Sequence, residues 1–392
     1  MAIDVDKIWA NSGDSHVLEP DDIWTRSMPP ELAERMPRTE KQDGMETVFV
    51  DGQSFQRRIV MVRAGGEHWF RGEMRELAEG TEADELSRAP GSWDIGLRLD
   101  DLDDEGIWGE VVYPSIGLWN GMIKDPALYR EGVKVLNDWL KETIIDVTPR
   151  LVPAAGISIL SVEDAVDEAI RVAGLGFHAI SLPTTLDSSV TPNWNDESWE
   201  PLWATAEEAG LVLAFHIGSD AKPPDESNVK FRGQGGAVIN YVETMYGGQR
   251  AAVMLISSGA LDRHPNLRML VSEGGATWGP AVADRMDEAY RQHAMFVRPI
   301  LSRLPSEILY EQVYASFQHD KSAVKTSTEL GFRNVMWGSD YPHMEGTFGH
   351  TQKTLHELFD DVEPSDVYRI TQGAFLDLFP SVGPVPADRT GV

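Results

Sequence analysis

Cysteine is absent from the 392 residues. That excludes disulfides, a thiolate nucleophile and any sulfur-ligated zinc or iron–sulfur site. A metal in this chain must be held by histidine, aspartate and glutamate. Positive charge is scarce: 34 Lys and Arg stand against 63 Asp and Glu, a formal net charge of −29. A surface of that sign repels nucleic acid and anionic membranes, so neither is expected as a partner. No apolar run reaches the roughly 18 residues that a membrane span needs. The opening residues, MAIDVDKIWANSGDSH, show no basic segment followed by an apolar stretch. No secretory leader is therefore expected, and the cytoplasm is the expected compartment. Missing too is a glycine-rich phosphate loop of GxGxxG or Walker type after the first strand, which argues against an open dinucleotide-binding sheet.

What is present is core material and a regular alternation. The chain is 42% hydrophobic, with 35 Gly and 23 Pro. Short apolar runs read as buried strands ending near residue 10 and at 107–113, 151–159, 179–182, 211–216, 267–272, 313–317 and 335–338. Helical patterns fall between and after them at 98–105, 126–147, 162–173, 198–209, 241–257, 280–293, 321–330 and 351–359, with a short helix at 20–24 and a terminal helix at 364–379. Strands alternating with helices call for parallel pairing and right-handed crossovers. Eight such units close into a (β/α)8 barrel.

The expected organisation is one barrel domain over 1–380, an insertion at about 27–95 and a tail at 381–392. Within the insertion, 48–55 reads as a hairpin around Asp51–Gly52, 59–62 as a further strand and 76–85 as an acidic surface segment. Its natural role would be a pocket lid or a subunit contact.

The stretch VMWGSDYPHMEGTF, 335–348, has the most to say about function. A buried strand breaks at Gly338–Ser339 and delivers Asp340, with His343 and Glu345 on the following loop. Carboxylates at the C-terminal ends of barrel strands are where such folds place their chemistry. Asp14 and His16 are two residues apart, so an extended strand points both to one face, an acid and an imidazole suited to a hard metal. His216 closes an otherwise apolar strand and must be hydrogen-bonded or ligated. Glu273 ends the sixth strand, where a carboxylate is uncompensated unless a cation is near. Four strand ends thus carry histidine or carboxylate. His319 reads equally as pocket lining or loop, His264 as structural, and Trp194, Trp199 and Trp203 as packing.

These residues sit in motifs that resemble the amidohydrolase superfamily, in the branch related to aminocarboxymuconate semialdehyde decarboxylase, also called amidohydrolase family 2. The motifs are DSHVLEP at 14–20, WEPLWATAEEAGL at 199–211, FHIG at 215–218, HPNLR at 264–268, EGGATWGP at 273–280 and GSDYPH at 338–343. They run from the first strand to the last and leave 27–95 uncovered. The resemblance implies one divalent metal ion held by Asp14, His16, His216 and Asp340. Many members have His-x-His where this chain has Asp-x-His, and the larger carboxylate share favours Zn or Mn. The decarboxylases resemble H-x-G on the sixth strand, where this chain has Glu273.

That departure favours a metal-dependent hydrolase acting on a small organic, aromatic or cyclic substrate through a metal-activated water. Asp340 would be the acid/base, and Glu273 or His343 the second acid/base or substrate-orienting group. The alternatives are a non-oxidative decarboxylase of an aromatic or muconate-type acid, with Asp340 protonating carbon, and a non-catalytic barrel that binds a small ligand. The resemblance also implies a homodimer or higher homo-oligomer.

Overall fold

Apolar runs too short to bury a helix face become the strands of a parallel sheet. The computed structural model describes residues 7–42, 45–58, 89–221, 231–343 and 345–390. The segments expected as a strand at 59–62 and as an acidic surface at 76–85, with His68, lie outside the described residues.

The first barrel strand comes in two pieces, β1 (Ala10–Ser12) and β2 (His16–Val17), both paired in parallel with β6 (Ile107–Pro114). The order continues through β7 (Leu151–Gly156), β8 (Ala179–Ser181), β9 (Val212–His216), β10 (Met269–Ser272), β11 (Val313–Phe317) and β12 (Val335–Trp337). Every pairing along this path is parallel. The last strand then meets the first. Gly13 N–H donates to the Trp337 carbonyl at 2.9 Å, Asp340 N–H to Asp14 at 3.1 Å and His16 N–H to Tyr341 at 2.6 Å. The fold is a (β/α)8 barrel. Gly13 makes its closure sterically feasible, because a Cβ there would stand 2.6 Å from Met336 Sδ.

Inward-facing residues fill the barrel: Val111, Tyr113, Val152, Ala154, Val212, Leu270 and Met336 pack as one cluster. Phe375, Leu378, Phe379 and Val382 join that cluster beyond the strand starts, so the C-terminal segment plugs the bottom. The Trp194, Trp199 and Trp203 rings pack on one another, and Trp194 on Phe215, all fully buried outside the sheet. Each such side chain contributes on the order of 1.5–3 kcal/mol by leaving water.

The helices start and stop where local chemistry dictates. Ile95–Glu105 begins at Asp94, whose carboxylate accepts the Leu97 N–H, and ends at Gly106 with φ 79°. Gly236–Ser257 begins five residues before the expected 241, and Pro305–Gln312, opened by a proline at its first turn, was not expected at all. The expected helix at 20–24 is a succession of turns.

Between the first and second barrel strands, β3 (Arg38–Gln42), β4 (Met45–Val50) and β5 (Gln53–Arg58) form an antiparallel sheet. The β4–β5 turn has φ 46° at Asp51 and 76° at Gly52, which suits the right-handed strand twist. Asp51 accepts the Lys124 N–H at 2.9 Å, and Phe55 packs on Trp119 at 5.0 Å. The hairpin therefore rests on the loop after β6, at the end of the barrel where the strands stop.

A candidate metal centre at the strand ends

Strand geometry carries six ionisable side chains to that end. Asp14 follows β1 and His16 opens β2; His216 ends β9; Glu273 follows β10; Asp340 and His343 follow β12. Asp14, His16, His216 and Asp340 are all buried. Three overlapping groups have ligand atoms within 4.8 Å of one another: Asp14, His16 and His216; His16, Asp340 and His343; Asp14, Glu273 and Asp340.

Individual distances tie the groups together. His216 Nε2 lies 3.3 Å from Asp14 Oδ1 and 3.4 Å from Glu273 Oε2. His16 Nε2 lies 3.5 Å from Asp340 Oδ1, which also accepts from His343 Nδ1 at 2.7 Å. The His16 and His343 rings are 4.1 Å apart, and His16 meets His216 edge-on at 4.6 Å. His216 Nδ1–H donates to the Ile217 carbonyl at 2.6 Å, so its Nε2 turns a lone pair toward the cluster.

Burial and the neighbouring side chains set the protonation of the cluster. Burial pushes Asp340 up to about 7; His343 opposes the rise, while Asp14 and Glu345 add to it. Burial likewise raises Glu273 well above the carboxylate range, reinforced by Asp340 and Asp14. His16 is driven well down by burial, then by His343 and His216. Burial, the largest single influence, pulls His216 down as well, but Asp14, the Ile217 carbonyl and Asp340 together outweigh it and the net shift is upward.

A divalent cation fits this donor set. Both Asp14 oxygens, His16 Nε2, His216 Nε2 and Asp340 Oδ2 are buried atoms with no hydrogen-bond partner. Buried polar atoms are rarely left so, and five on one spot match a ligand that hydrogen-bonding groups do not replace. The donors are nitrogen and carboxylate oxygen, the set for Zn or Mn.

Support beneath the site escaped sequence reading. Arg98 and Glu110, both fully buried, pair at 2.8 Å. Arg98 also donates to the His16 carbonyl at 2.7 Å and to Ser15 Oγ at 2.9 Å. The available signal was Glu110 itself, a charge inside an apolar strand that requires a cation nearby. Tyr113 packs on His216 at 4.9 Å and shares a 2.7 Å hydrogen bond with Ser272. His319 Nε2 meets the Glu345 carbonyl at 3.0 Å, on the loop beyond Asp340. His264 sits between Glu207 at 2.8 Å and Glu200 at 3.1 Å, away from the cluster.

Comparison with known proteins is consistent with this architecture. A family model described as Amidohydrolase matches residues 91–372. No curated protein matches the sequence. Among solved structures, an amidohydrolase from Mycobacterium avium subsp. paratuberculosis K-10 is 20% identical, with TM-score 0.77 over 95% of this chain and 99% of its own. The 5-carboxyvanillate decarboxylase LigW from Sphingomonas paucimobilis is 18% identical, with TM-score 0.64 over 95% and 99%. A dihydroxybenzoic acid decarboxylase from Polaromonas sp. JS666, solved with manganese and 2-nitroresorcinol, is 16% identical, with TM-score 0.61 over 95% and 97%.

Proposed function

The chain belongs to amidohydrolase family 2, and on that footing we propose that it is a metal-dependent carboxy-lyase, removing CO2 without oxidation from a small aromatic or unsaturated acid. The expectation of hydrolysis gives way to decarboxylation because structures of the same fold include decarboxylases of hydroxylated aromatic acids, one with manganese. The observation that carries the proposal is the state of Asp340. One of its oxygens is fixed by His343 at 2.7 Å and lies 3.5 Å from His16 Nε2, and the other is buried with no hydrogen-bond partner.

Asp14, His16, His216 and Asp340 would hold one divalent ion, Zn or Mn. When bound, the ion would supply positive charge that holds and orients an anionic substrate. The remaining chemistry belongs to the side chains. The C–C bond to the carboxylate breaks, CO2 leaves, and Asp340 gives its proton to the carbon left behind. His343, 28% exposed at its side chain, links Asp340 to solvent and returns the proton. The Ile217 carbonyl holds His216 in the tautomer that a ligand needs. Arg98 holds the backbone of His16 from below.

Hydrolysis is the second reading, and one observation favours it. Asp14, Glu273 and Asp340 crowd three carboxylates within 4.8 Å, a field that resists an anionic substrate and accepts a neutral one. Product analysis decides: metal-loaded protein is offered hydroxylated aromatic acids on one side and amides, esters and lactones on the other.

A further inference from the structure

We propose that Glu273 is a direct ligand of the divalent ion, so that the centre has three carboxylates and two imidazoles instead of the four-residue set. It rests on the reading that a cation occupies this site, and assigns Glu273 to holding that cation instead of to proton transfer.

The distances favour a ligand. Donors about 2.1 Å from an ion and at right angles about it stand roughly 3 Å from each other. His216 Nε2 is 3.3 Å from Asp14 Oδ1 and 3.4 Å from Glu273 Oε2. His16 Nε2 is 3.5 Å from Asp340 Oδ1. Glu273 therefore stands to His216 as Asp14 does, inside the same shell of donors. A general acid reaching past the ion to substrate has no reason to sit that close to a ligand nitrogen.

Charge points the same way. Asp14 Oδ1 and Oδ2 and Asp340 Oδ2 are buried and unpartnered, and Glu273 completes a trio with them within 4.8 Å. Among the described residues no lysine or arginine pairs with any of the three; Arg98, the buried cation nearby, is committed to Glu110. Three carboxylates packed this closely, two of them fully buried, are stable together only around positive charge.

The backbone is also arranged for it. Glu273 has φ 59° and Asp340 φ 52°, and these are the two strand-end carboxylates that the barrel holds in the left-handed region. Ser316 Oγ on β11 accepts the Glu273 N–H at 2.9 Å and keeps it there. An oxygen-rich set of this kind favours Mn2+ over softer ions.

The test is Mn2+ binding to metal-stripped full-length protein, followed through the electron paramagnetic resonance signal of free Mn2+, with far-ultraviolet circular dichroism on each metal-free sample. Glu273→Asp keeps the charge but withdraws the carboxylate by one methylene, and Glu273→Gln removes the charge. Both should bind Mn2+ at least about tenfold more weakly than the wild type. A Glu273→Asp variant with wild-type affinity would show that charge alone matters and overturn the assignment. If the variants do not fold, a crystal structure of the Mn2+-loaded wild type decides. Glu273 Oε at about 2.2 Å from the ion supports the assignment, and a water between them overturns it. A wild type that takes up no divalent ion removes the proposed function together with this assignment. A wild type that binds Mn2+, beside an equally tight Glu273→Asp, removes this assignment alone.

Discussion

Arg98 lies beneath the centre and donates from Nη1 to the carbonyl oxygen of His16 at 2.7 Å, while its other nitrogens reach Glu110 and Ser15. A guanidinium with no exposure thus fixes the backbone of one candidate ligand, and it stacks on Tyr341, the residue after another.

Replacing Arg98 by Met leaves Glu110 buried without its cation. Loss of one partner of a buried pair costs about 3–5 kcal/mol. Urea denaturation of metal-free Arg98→Met should show a loss of that size. Arg98→Met combined with Glu110→Leu should recover part of it. A single variant as stable as the wild type would show that the pair does not brace the fold.

His343→Gln removes the group that joins Asp340 to solvent. Turnover should fall about 10²-fold with KM and Mn2+ affinity nearly unchanged, since His343 is placed here outside the ligand set. Equal losses in Mn2+ affinity and turnover would make His343 a ligand.

Metal removal should be visible without any substrate. Protein purified without chelator should carry about one divalent ion per chain. Stripping it should lower the melting temperature, and Mn2+ at a hundred times its Kd should restore about 2.7 kcal/mol. A melting temperature indifferent to chelator and to Mn2+ would contradict a centre at Asp14, His16, His216 and Asp340.

Assembly is tested by light scattering. Helix Gly236–Ser257 exposes Val238, Tyr241, Val242 and Tyr246 near its start, more apolar surface than a solitary helix face gains by showing to water. A homodimer or higher homo-oligomer is expected at micromolar concentration, and a monomer mass would contradict it.

The barrel was legible because its strands are short, largely apolar buried runs alternating with helical patterns, several of them closed by a polar residue. The hairpin was legible because Asp51–Gly52 is a two-residue turn whose positive φ angles both residues tolerate. Asp14, His16, His216, Glu273 and Asp340 stood out because a charge at the end of an apolar strand demands a partner. His343 could be placed near Asp340 but not bonded to it, since a loop after a proline leaves the ring's direction open. Arg98 was hidden: it looks like one more charge on a polar helix, and its burial depends on Glu110 and on the closure of β12 against β1 and β2, relations between distant segments that local pattern does not encode. Pro305–Gln312 was hidden for a similar reason, being short, weakly amphipathic and stabilised by the core into which Ile308 and Leu309 pack.

The most direct measurement is CO2 release with solvent deuterium tracing, on Mn2+-loaded wild type and Asp340→Asn, using a panel of hydroxylated aromatic and unsaturated acids in D2O. Proton delivery by Asp340 predicts CO2 in equal amount to product, one deuterium on the carbon that lost it, and turnover at least about 10²–10⁴-fold lower in Asp340→Asn. No CO2 from any acid, with amides, esters or lactones cleaved by the same preparation, would contradict decarboxylation and establish the hydrolase in its place.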